Sequence, residues 1–147
     1  MSIFVAHQGA GDDGQLWHDA YDGQNWAGDR QVPNVGMSAS PSAVVFNGQL
    51  YVFHQGQEED SQLWYNVSDG QNWAGDTQVQ PVGMSASPSA VVFDGLLYVF
   101  HQGTGDDGQL WCTTFDGEKW AGDQQVHPVG MSASPAAAAW IGVSLPQ

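Results

Sequence analysis

The chain has 147 residues, 41% of them hydrophobic, and its 16 acidic side chains against two basic ones give a formal net charge of −14. This balance excludes most nucleic-acid binders, which need cations to displace phosphate counterions, and disfavours an anionic membrane surface. No run of about 18 apolar residues occurs, so membrane insertion is not expected. The opening "MSIFVAHQGAGDD" lacks the pattern of a signal peptide, which predicts a cytoplasmic or non-classically exported protein.

The elements predicted along the chain follow one repeated pattern. The phrase "DGQNWAGD" at residues 22–29 returns letter for letter at 69–76 and almost unchanged at 116–123, a period of 47. The middle copy contains four short strand-like pieces, which cover residues 40–48, 50–56, 62–70 and 72–79. Val, Phe, Tyr and Trp fill these pieces while Asn-Gly and Asp-Gly separate them, which is typical of β-hairpins. No window shows the 3.6-residue period of an amphipathic helix, so the fold is predicted to be all-β.

Four antiparallel strands in each repeat predict the blades of a β-propeller. The chain is predicted to be a single repeat domain over 1–147, with repeats at about 1–32, 33–79, 80–126 and 127–147. These repeats contribute three, four, four and one strands, which make three blades. Because known rings have about four to eight blades, two chains are expected to join head to tail into a six-bladed ring. A β-trefoil, which also has three repeats, is the alternative.

The repeat resembles that of bacterial and fungal β-propeller lectins of the Photorhabdus type. The likeness rests on "SPSAVVFNGQLYVFHQG", "GQLWY" and "DGQNWAGD" and extends over essentially the whole chain. The "DGxxW" hairpin is also similar to that of the small Ralstonia fucose lectins, whose short chains assemble into one ring. The resemblance implies a propeller that binds sugars and assembles from incomplete chains.

One departure from the fucose lectins bears on the sugar. That family holds fucose with an Arg and a Glu in each repeat, yet here the positions that would carry the Arg are Tyr51 and Tyr98. Only the hairpin tryptophan carries over, as Trp26, Trp73 and Trp120. A lectin is therefore expected, whereas fucose specificity is not.

Topology places the longer loops of each blade on one face. The link from the second to the third strand (54–62) and the link to the next blade (80–88) leave the blade on the same side, and such loops usually carry binding groups. Aromatic and neutral polar residues recur on or near the blade junctions, and this composition is typical of a neutral-sugar pocket. The candidate binding residues are His7, His54 and His101, Gln8, Gln55 and Gln102, Trp17, Trp64 and Trp111, Trp26, Trp73 and Trp120, Met37, Met84 and Met131, and Ser38, Ser85 and Ser132.

Each of these residue types also has a structural interpretation. The tryptophans could pack between blades, the histidines could close a strand by bonding to backbone, and the methionines could fill blade junctions. Cys112 replaces His18 and Tyr65 of the other copies, which favours a structural or incidental role. Because the segment 35–46 returns unchanged at 82–93, repetition alone does not separate binding from packing.

Three other functions are alternatives to a lectin. An enzyme is not expected, because sialidases need clustered Arg and because the available carboxylates lie in loops that look solvated. These carboxylates belong to Asp12, Asp13, Glu58, Glu59, Asp60, Asp106 and Asp107. Calcium binding is not expected, since the acidic loops match no established calcium motif. A structural or protein-binding propeller, of natural or engineered origin, is the remaining alternative. The sequence thus predicts a homodimeric lectin for neutral glycans, without metal or cofactor.

Overall fold

A computed structural model describes residues 1–140, and nearly all of its regular structure is β-strand. The strands are β1 (Ile3–Gln8), β2 (Gln15–Tyr21), β3 (Arg30–Phe46), β4 (Gln49–Gly56), β5 (Gln62–Ser68), β6 (Thr77–Gly83), β7 (Ser85–Phe93), β8 (Leu96–Gln102), β9 (Gln109–Phe115) and β10 (Gln124–Gly130). One turn of 3-10 helix covers Gln57–Glu59. Within the described residues, no helix is long and apolar enough to span a membrane.

Two-residue turns join the first two strands of each complete repeat. Asn47 and Gly48 lie between β3 and β4 with φ of 51° and 75°, and Asp94 and Gly95 lie between β7 and β8 with φ of 49° and 78°. Two consecutive positive φ values are the requirement of a type I′ turn, which Asn-Gly and Asp-Gly meet at low cost. The dipeptides that suggested hairpins in the sequence therefore form them.

The "DGxxW" phrase forms the turn after the third strand. The carboxylate of Asp69 accepts hydrogen bonds from the backbone N–H groups of Gln71 and Asn72, both at 2.8 Å. Trp73 then pairs with Ser68 across an isolated antiparallel bridge. Asp22 and Asp116 make the same pair of bonds in the other copies.

The strands run up and down in chain order. The sheets have the orders β1-β2-β3-β4-β5-β6 and β10-β9-β8-β7, and every pairing is antiparallel. The long strand β3 pairs with β2 up to Gly36 and with β4 from Met37 onward, so it belongs to two successive meanders. We call residues 3–36 the first unit, 37–83 the second and 85–130 the third.

This arrangement confirms the predicted all-β propeller fold. A β-trefoil would close strands of different repeats into one barrel, whereas hydrogen bonds here join strands that are consecutive in the chain. The trefoil alternative is therefore wrong. Stacked meanders also explain where the core lies, because each sheet must cover its apolar faces with the neighbouring sheet.

The core consists of two clusters that lie between consecutive units. Between the first and second units, the buried residues are Leu16, Val32, Val35, Met37 and Val52. Between the second and third units, they are Phe46, Tyr51, Phe53, Leu63, Val79, Val82, Met84, Leu97, Val99 and Phe115. Burial of one such side chain contributes about 1.5–3 kcal/mol, so the junctions between units hold the fold together.

The twelfth strand that the sequence predicts, near 132–142, is not formed in the described part of that segment. Residues 131–140 contain no strand, and residues 141–147 lie outside the described residues. The segment nevertheless lies along the third unit, since the N–H of Ala137 donates to Ser89 Oγ at 2.9 Å. A β-strand needs a hydrogen-bonded neighbour, and the predicted neighbour of this one belongs to another chain.

Candidate functional site

The long loops meet on one face of the molecule, as the topology predicted. The N–H groups of Met37, Met84 and Met131 donate to the carbonyls of Gly14, Ser61 and Gly108 at 2.8, 2.9 and 2.8 Å. Each of these bonds ties the loop that follows β1, β4 or β8 to the next "GMSAS" segment along the chain. The side chains of Met37 and Met84 are buried in the junction clusters, so their sulfurs face the core.

An alanine in each "GMSAS" segment has a left-handed backbone. Ala39, Ala86 and Ala133 have φ of 61°, 62° and 62°. An L-residue with a Cβ pays roughly 1–2 kcal/mol for this conformation, and such strain concentrates where a loop must present backbone groups in a fixed direction. The strained segment therefore marks this face as a candidate for binding.

The predicted glutamines hold these strained loops. With its amide nitrogen toward Ala39, Gln8 donates to that carbonyl at 3.0 Å, and its oxygen accepts from the N–H of Gly14 at 3.2 Å. Gln55 bridges Ala86 and Ser61 in the same way, at 3.3 Å to each. In the third unit, the buried Gln102 instead donates to Ser85 Oγ at 3.0 Å and to Asp106 at 3.1 Å.

The predicted serines make hydrogen bonds within a unit. Ser38 Oγ donates to the carbonyl of Gly56 at 2.6 Å, and Ser85 Oγ donates to that of Gly103 at 2.6 Å. Ser132, one repeat after Ser85, is exposed. Two of the three serines therefore hold neighbouring strands of one unit together close to the loops.

Two equivalent cavities open at the junctions on this face. The first junction cavity, of about 490 Å³, lies between the first and second units and is lined by Gln8, Asp12, Asp13, Gly14, Met37, Ser38, Ala39, Gln57, Glu58 and Glu59. The second junction cavity, of about 440 Å³, lies between the second and third units and is lined by Ser38, Ala39, Gln55, Glu59, Ser61, Ser85, Ala86, Gly105 and Asp106. Most positions of the second correspond to positions of the first one repeat earlier, so the fold builds the cavity twice.

The lining of both cavities is polar and acidic. Amide, hydroxyl and backbone carbonyl groups surround carboxylates that include Asp12, Glu59 and Asp106. These oxygens accept hydrogen bonds from ligand hydroxyl groups, and the amides and hydroxyls can also donate. Glu59 lines both cavities. The chemistry suits a hydroxyl-rich neutral ligand; within residues 1–140, no group of three or more His, Cys, Asp or Glu side chains could hold a metal ion.

The tryptophans near the starts of β2, β5 and β9 anchor the loops that precede these strands. The indole Nε1 of Trp17, Trp64 and Trp111 donates to Asp13, Asp60 and Asp107 at 2.8, 2.8 and 2.9 Å. The other oxygen of each carboxylate accepts from the N–H of Gln15, Gln62 or Gln109, at 2.9 Å in each case. Sequence reasoning missed this role and treated these carboxylates as solvated, although the spacing Asp-x-x-x-Trp in every copy could have indicated it.

A glycine makes room for each of these carboxylates. A Cβ on Gly9, Gly56 or Gly103 would overlap the side chain of Asp13, Asp60 or Asp107. The "HQG" tripeptide thus ends in glycine because a carboxylate packs directly against its Cα. The N–H of Gln15 lowers the pKa of Asp13 most, with burial opposing and the indole of Trp17 assisting, so this anchor is ionised at neutral pH.

The histidines pair with a second set of aspartates that sequence reasoning also missed. The contacts from Nε2 to the carboxylate measure 2.9 Å for His7 with Asp29, His54 with Asp76 and His101 with Asp123. Each Nδ1 faces the carbonyl of the following glutamine, at 2.8 to 2.9 Å. Both contacts are hydrogen bonds only when both ring nitrogens carry hydrogen. His54 and His101 are fully buried, so their contacts hold the loop ends in place from the core side.

The hairpin tryptophans lie at the unit junctions and outside the lining of both cavities. Trp73 packs against Phe4 and His18 of the preceding unit, with ring centroids 6.2 and 5.7 Å apart. Trp120 packs in the same way against Phe53 and Tyr65, at 5.9 and 5.7 Å. Trp26, in the first unit, is 54% exposed.

Comparison with known proteins supports the fold. No protein-family model and no curated protein matches the sequence. The structure is similar to NanB sialidase from Streptococcus pneumoniae (TM-score 0.70, 15% identity), covering 88% of this chain and 22% of that one. It is similar to a fucose lectin from Kordia zhangzhouensis (0.62, 14%; 87% and 91% covered) and to Aleuria aurantia lectin (0.63, 14%; 94% and 46% covered).

The sialidase corrects one prediction from the sequence. The chain was expected not to be an enzyme, but most of it shares its fold with part of an enzyme, and it spans 22% of that enzyme's length. The scarcity of Arg bears on one substrate group, whereas the fold follows from strand and core pattern, so the exclusion was wrong. The resemblance to lectins is supported at the level of the propeller fold, by the Kordia and Aleuria proteins.

The Gly56→Ala substitution tests the loop anchor. The backbone φ of Gly56 is −66°, which any residue adopts, so the cost should come from displacement of Asp60 from Trp64 and Gln62. We expect a loss of roughly 1–3 kcal/mol in the free energy of unfolding, measured by urea denaturation. The same substitution in an Asp60→Ala background should cost much less. Equal costs in the two backgrounds would contradict the anchor.

The His7–Asp29 pair predicts a pH dependence with a definite sign. The carbonyl of Gln8, and next the carboxylate of Asp29, raise the pKa of His7 above 6.5, whereas burial lowers that of His18. The stabilisation from His7 should be complete below pH 6.5 and disappear as the pH rises through the higher folded-state pKa. An NMR titration should find His7 titrating above His18, and Asp29→Asn should lower the pKa of His7. The reverse order of the two residues is inconsistent with this geometry.

Proposed function

We propose that the chain is a carbohydrate-binding lectin whose sites are the junction cavities. The observation that carries the proposal is the repetition of one polar cavity at two junctions, each framed by a left-handed alanine and a bridging glutamine. A cavity of several hundred Å³ with placed hydrogen-bonding groups is the size of a small-ligand site. The fold shared with two fucose lectins supports the same class of ligand.

The ligand is proposed to be a neutral sugar. The lining residues of both cavities include carboxylates and no Lys or Arg, so an anionic sugar would meet repulsion without a cation to offset it. Carboxylates pair well with sugar hydroxyls, because a hydrogen bond to a charged group contributes about 1.5–3 kcal/mol. Tyr51, at a position where the resembling fucose lectins carry Arg, is 7% exposed and packs in the core, so fucose itself is not specified.

Two copies of the chain are proposed to close one ring. Within residues 1–140, no further unit packs on the outer side of the third unit. In the same residues, the first unit has no counterpart of the strand that β3 and β7 supply to the second and third units. A closed ring would hold several equivalent cavities on one face. Sites of modest affinity on one rigid body raise the avidity for a clustered glycan surface by orders of magnitude, which would be the source of useful binding strength.

Glu59→Gln is the sharpest test of the sites, because Glu59 lines both cavities and the substitution keeps the side-chain shape. We expect the affinity for a neutral sugar found in a glycan screen to fall about tenfold in calorimetry, through loss of charge-assisted hydrogen bonds. Glu118→Gln, in an exposed turn far along the chain, is the matched control and should leave the affinity unchanged. If both variants bind like the parent, the sugar does not bind in these cavities.

Glycan hydrolysis is the second candidate, since the fold is shared with NanB sialidase. The test is incubation of the full chain with a fluorogenic sialoside and with neutral fluorogenic glycosides. Release of the fluorophore, abolished by Glu59→Gln and retained by Glu118→Gln, would assign hydrolysis to the junction cavities. Binding without release would favour the lectin.

A further inference from the structure

The two open edges of the chain expose apolar residues whose counterparts one repeat away are buried. At the edge of the first unit, Ile3 and Val5 are 56% and 40% exposed, whereas Leu97 and Val99 at the same positions of the third unit are fully buried. At the edge of the third unit, Val129 is 37% exposed, against 0% for Val82. Each edge is therefore half of an interface that the molecule already forms between its own units.

Aromatic residues at the two edges also lack packing partners that their counterparts one or two repeats away have. Trp120 is seated between Phe53 and Tyr65 of the preceding unit. Trp26 has the same place in the first unit, where no unit precedes it, and its ring lies tilted against that of Tyr21 in its own unit, with centroids 5.1 Å apart. Phe93 is 58% exposed, whereas its counterpart Phe46 is 3% exposed and packs on Phe115 of the next unit at 6.1 Å.

A groove on the third unit lies at the position where the hairpin tryptophan of a following unit would pack. It encloses about 290 Å³ and is lined by Tyr98, Phe100, Cys112, Thr114, Ala121 and Gln125, among others. Phe100 and Cys112 lie one repeat after Phe53 and Tyr65, the two residues that receive Trp120. An aromatic side chain placed there would repeat the internal junction.

We infer that Trp26 of one copy docks in the groove formed by Phe100 and Cys112 of a second copy, and that this contact closes the ring. The inference rests on the proposed assembly of two copies. A second copy is the occupant because each chain carries one half of the interface at each end, and the two halves already fit together twice inside the chain. Such head-to-tail contacts produce rings when their rotation closes.

A series of hydrogen bonds between successive "GMSAS" segments continues across the same contact. The N–H of Ser40 donates to Ser87 Oγ at 2.8 Å, and that of Ser87 donates to Ser134 Oγ at 3.0 Å. The next step of this series joins Ser134 to Ser40 of the second copy. In the same way, the hydroxyl of Ser132 takes the role of Ser38 and Ser85 and reaches the carbonyl of Gly9 in the second copy.

The docked edges also complete a third junction cavity. One repeat after the second cavity, the lining positions are Gln102, Asp106, Ser132 and Ala133 of one copy with Gly11 and Asp12 of the second copy. Among the described residues 1–140, a single chain supplies no counterpart of this second wall. This cavity therefore exists only in the assembled ring, and sugar bound there would favour assembly by mass action.

Cys112, the single cysteine, reports on the contact. Burial raises the pKa of its thiol to about 11, so it reacts slowly, and a docked indole would cover it further. The experiment compares the full chain with Trp26→Ala and Trp26→Phe by light scattering and by the rate of maleimide labelling. Circular dichroism confirms that each variant keeps its strands.

The parent should scatter as twice the 15.7 kDa chain. Trp26→Ala should raise the dimer dissociation constant about 30-fold, the effect of losing an interface hot spot, and should speed the labelling of Cys112 about tenfold, while Trp26→Phe should do so less. Cys112→Tyr, which copies the seat of Trp120, should keep the dimer.

A parent at single-chain mass overturns both the ring and the docking. A Trp26→Ala chain that stays dimeric, with Cys112 labelled at the parental rate, overturns the docking alone. Loss of the dimer in Trp26→Ala supports the docking even if no sugar binds, in which case the proposed function fails by itself. When sugar does bind, the monomeric variant should also bind less sugar per chain, because the third cavity is lost.

Discussion

The apolar contact between consecutive sheets is the interaction on which the rest of this structure depends. A four-stranded meander is too thin to bury its own side chains, so Phe53, Leu63 and Val99 become fully buried only when one unit lies against the next. Each such side chain contributes about 1.5–3 kcal/mol, more than a typical net hydrogen bond of about 1 kcal/mol. The positions of the loops, the cavities and the open edges all follow from this stacking.

The polar residues act on top of that core and fix the loops. An aspartate beside each "HQG" glycine anchors a tryptophan, and a histidine beneath each loop pairs with another aspartate. These contacts allow Ala39 and Ala86 to keep a left-handed backbone that a free loop would abandon. Part of the large negative charge of the chain is therefore structural, since these carboxylates serve as acceptors inside the molecule. A rigid scaffold with ordered loops is the usual basis of a binding face.

The chain shares its fold with lectins and with part of a sialidase, which agrees with the general rule that fold does not determine function. What distinguishes such proteins lies in the side chains at the loop ends. In this chain those side chains are carboxylates, amides and hydroxyls, arranged in the same way at two junctions. The chemical character of the face is thus a property of the loops and separate from the sheets that carry them.

The β class, the period and the face of the long loops could be predicted from the sequence, because turn dipeptides and strand composition act over a few residues. It also predicted that the glutamines and serines of each repeat, such as Gln8 and Ser38, lie on the face of the long loops. The sequence could not predict that Trp73 packs against another unit while Trp26, in an identical phrase, is 54% exposed, or that His54 faces Asp76. Identical letters have different environments because burial depends on which unit lies alongside, and that is a property of the stack rather than of the repeat.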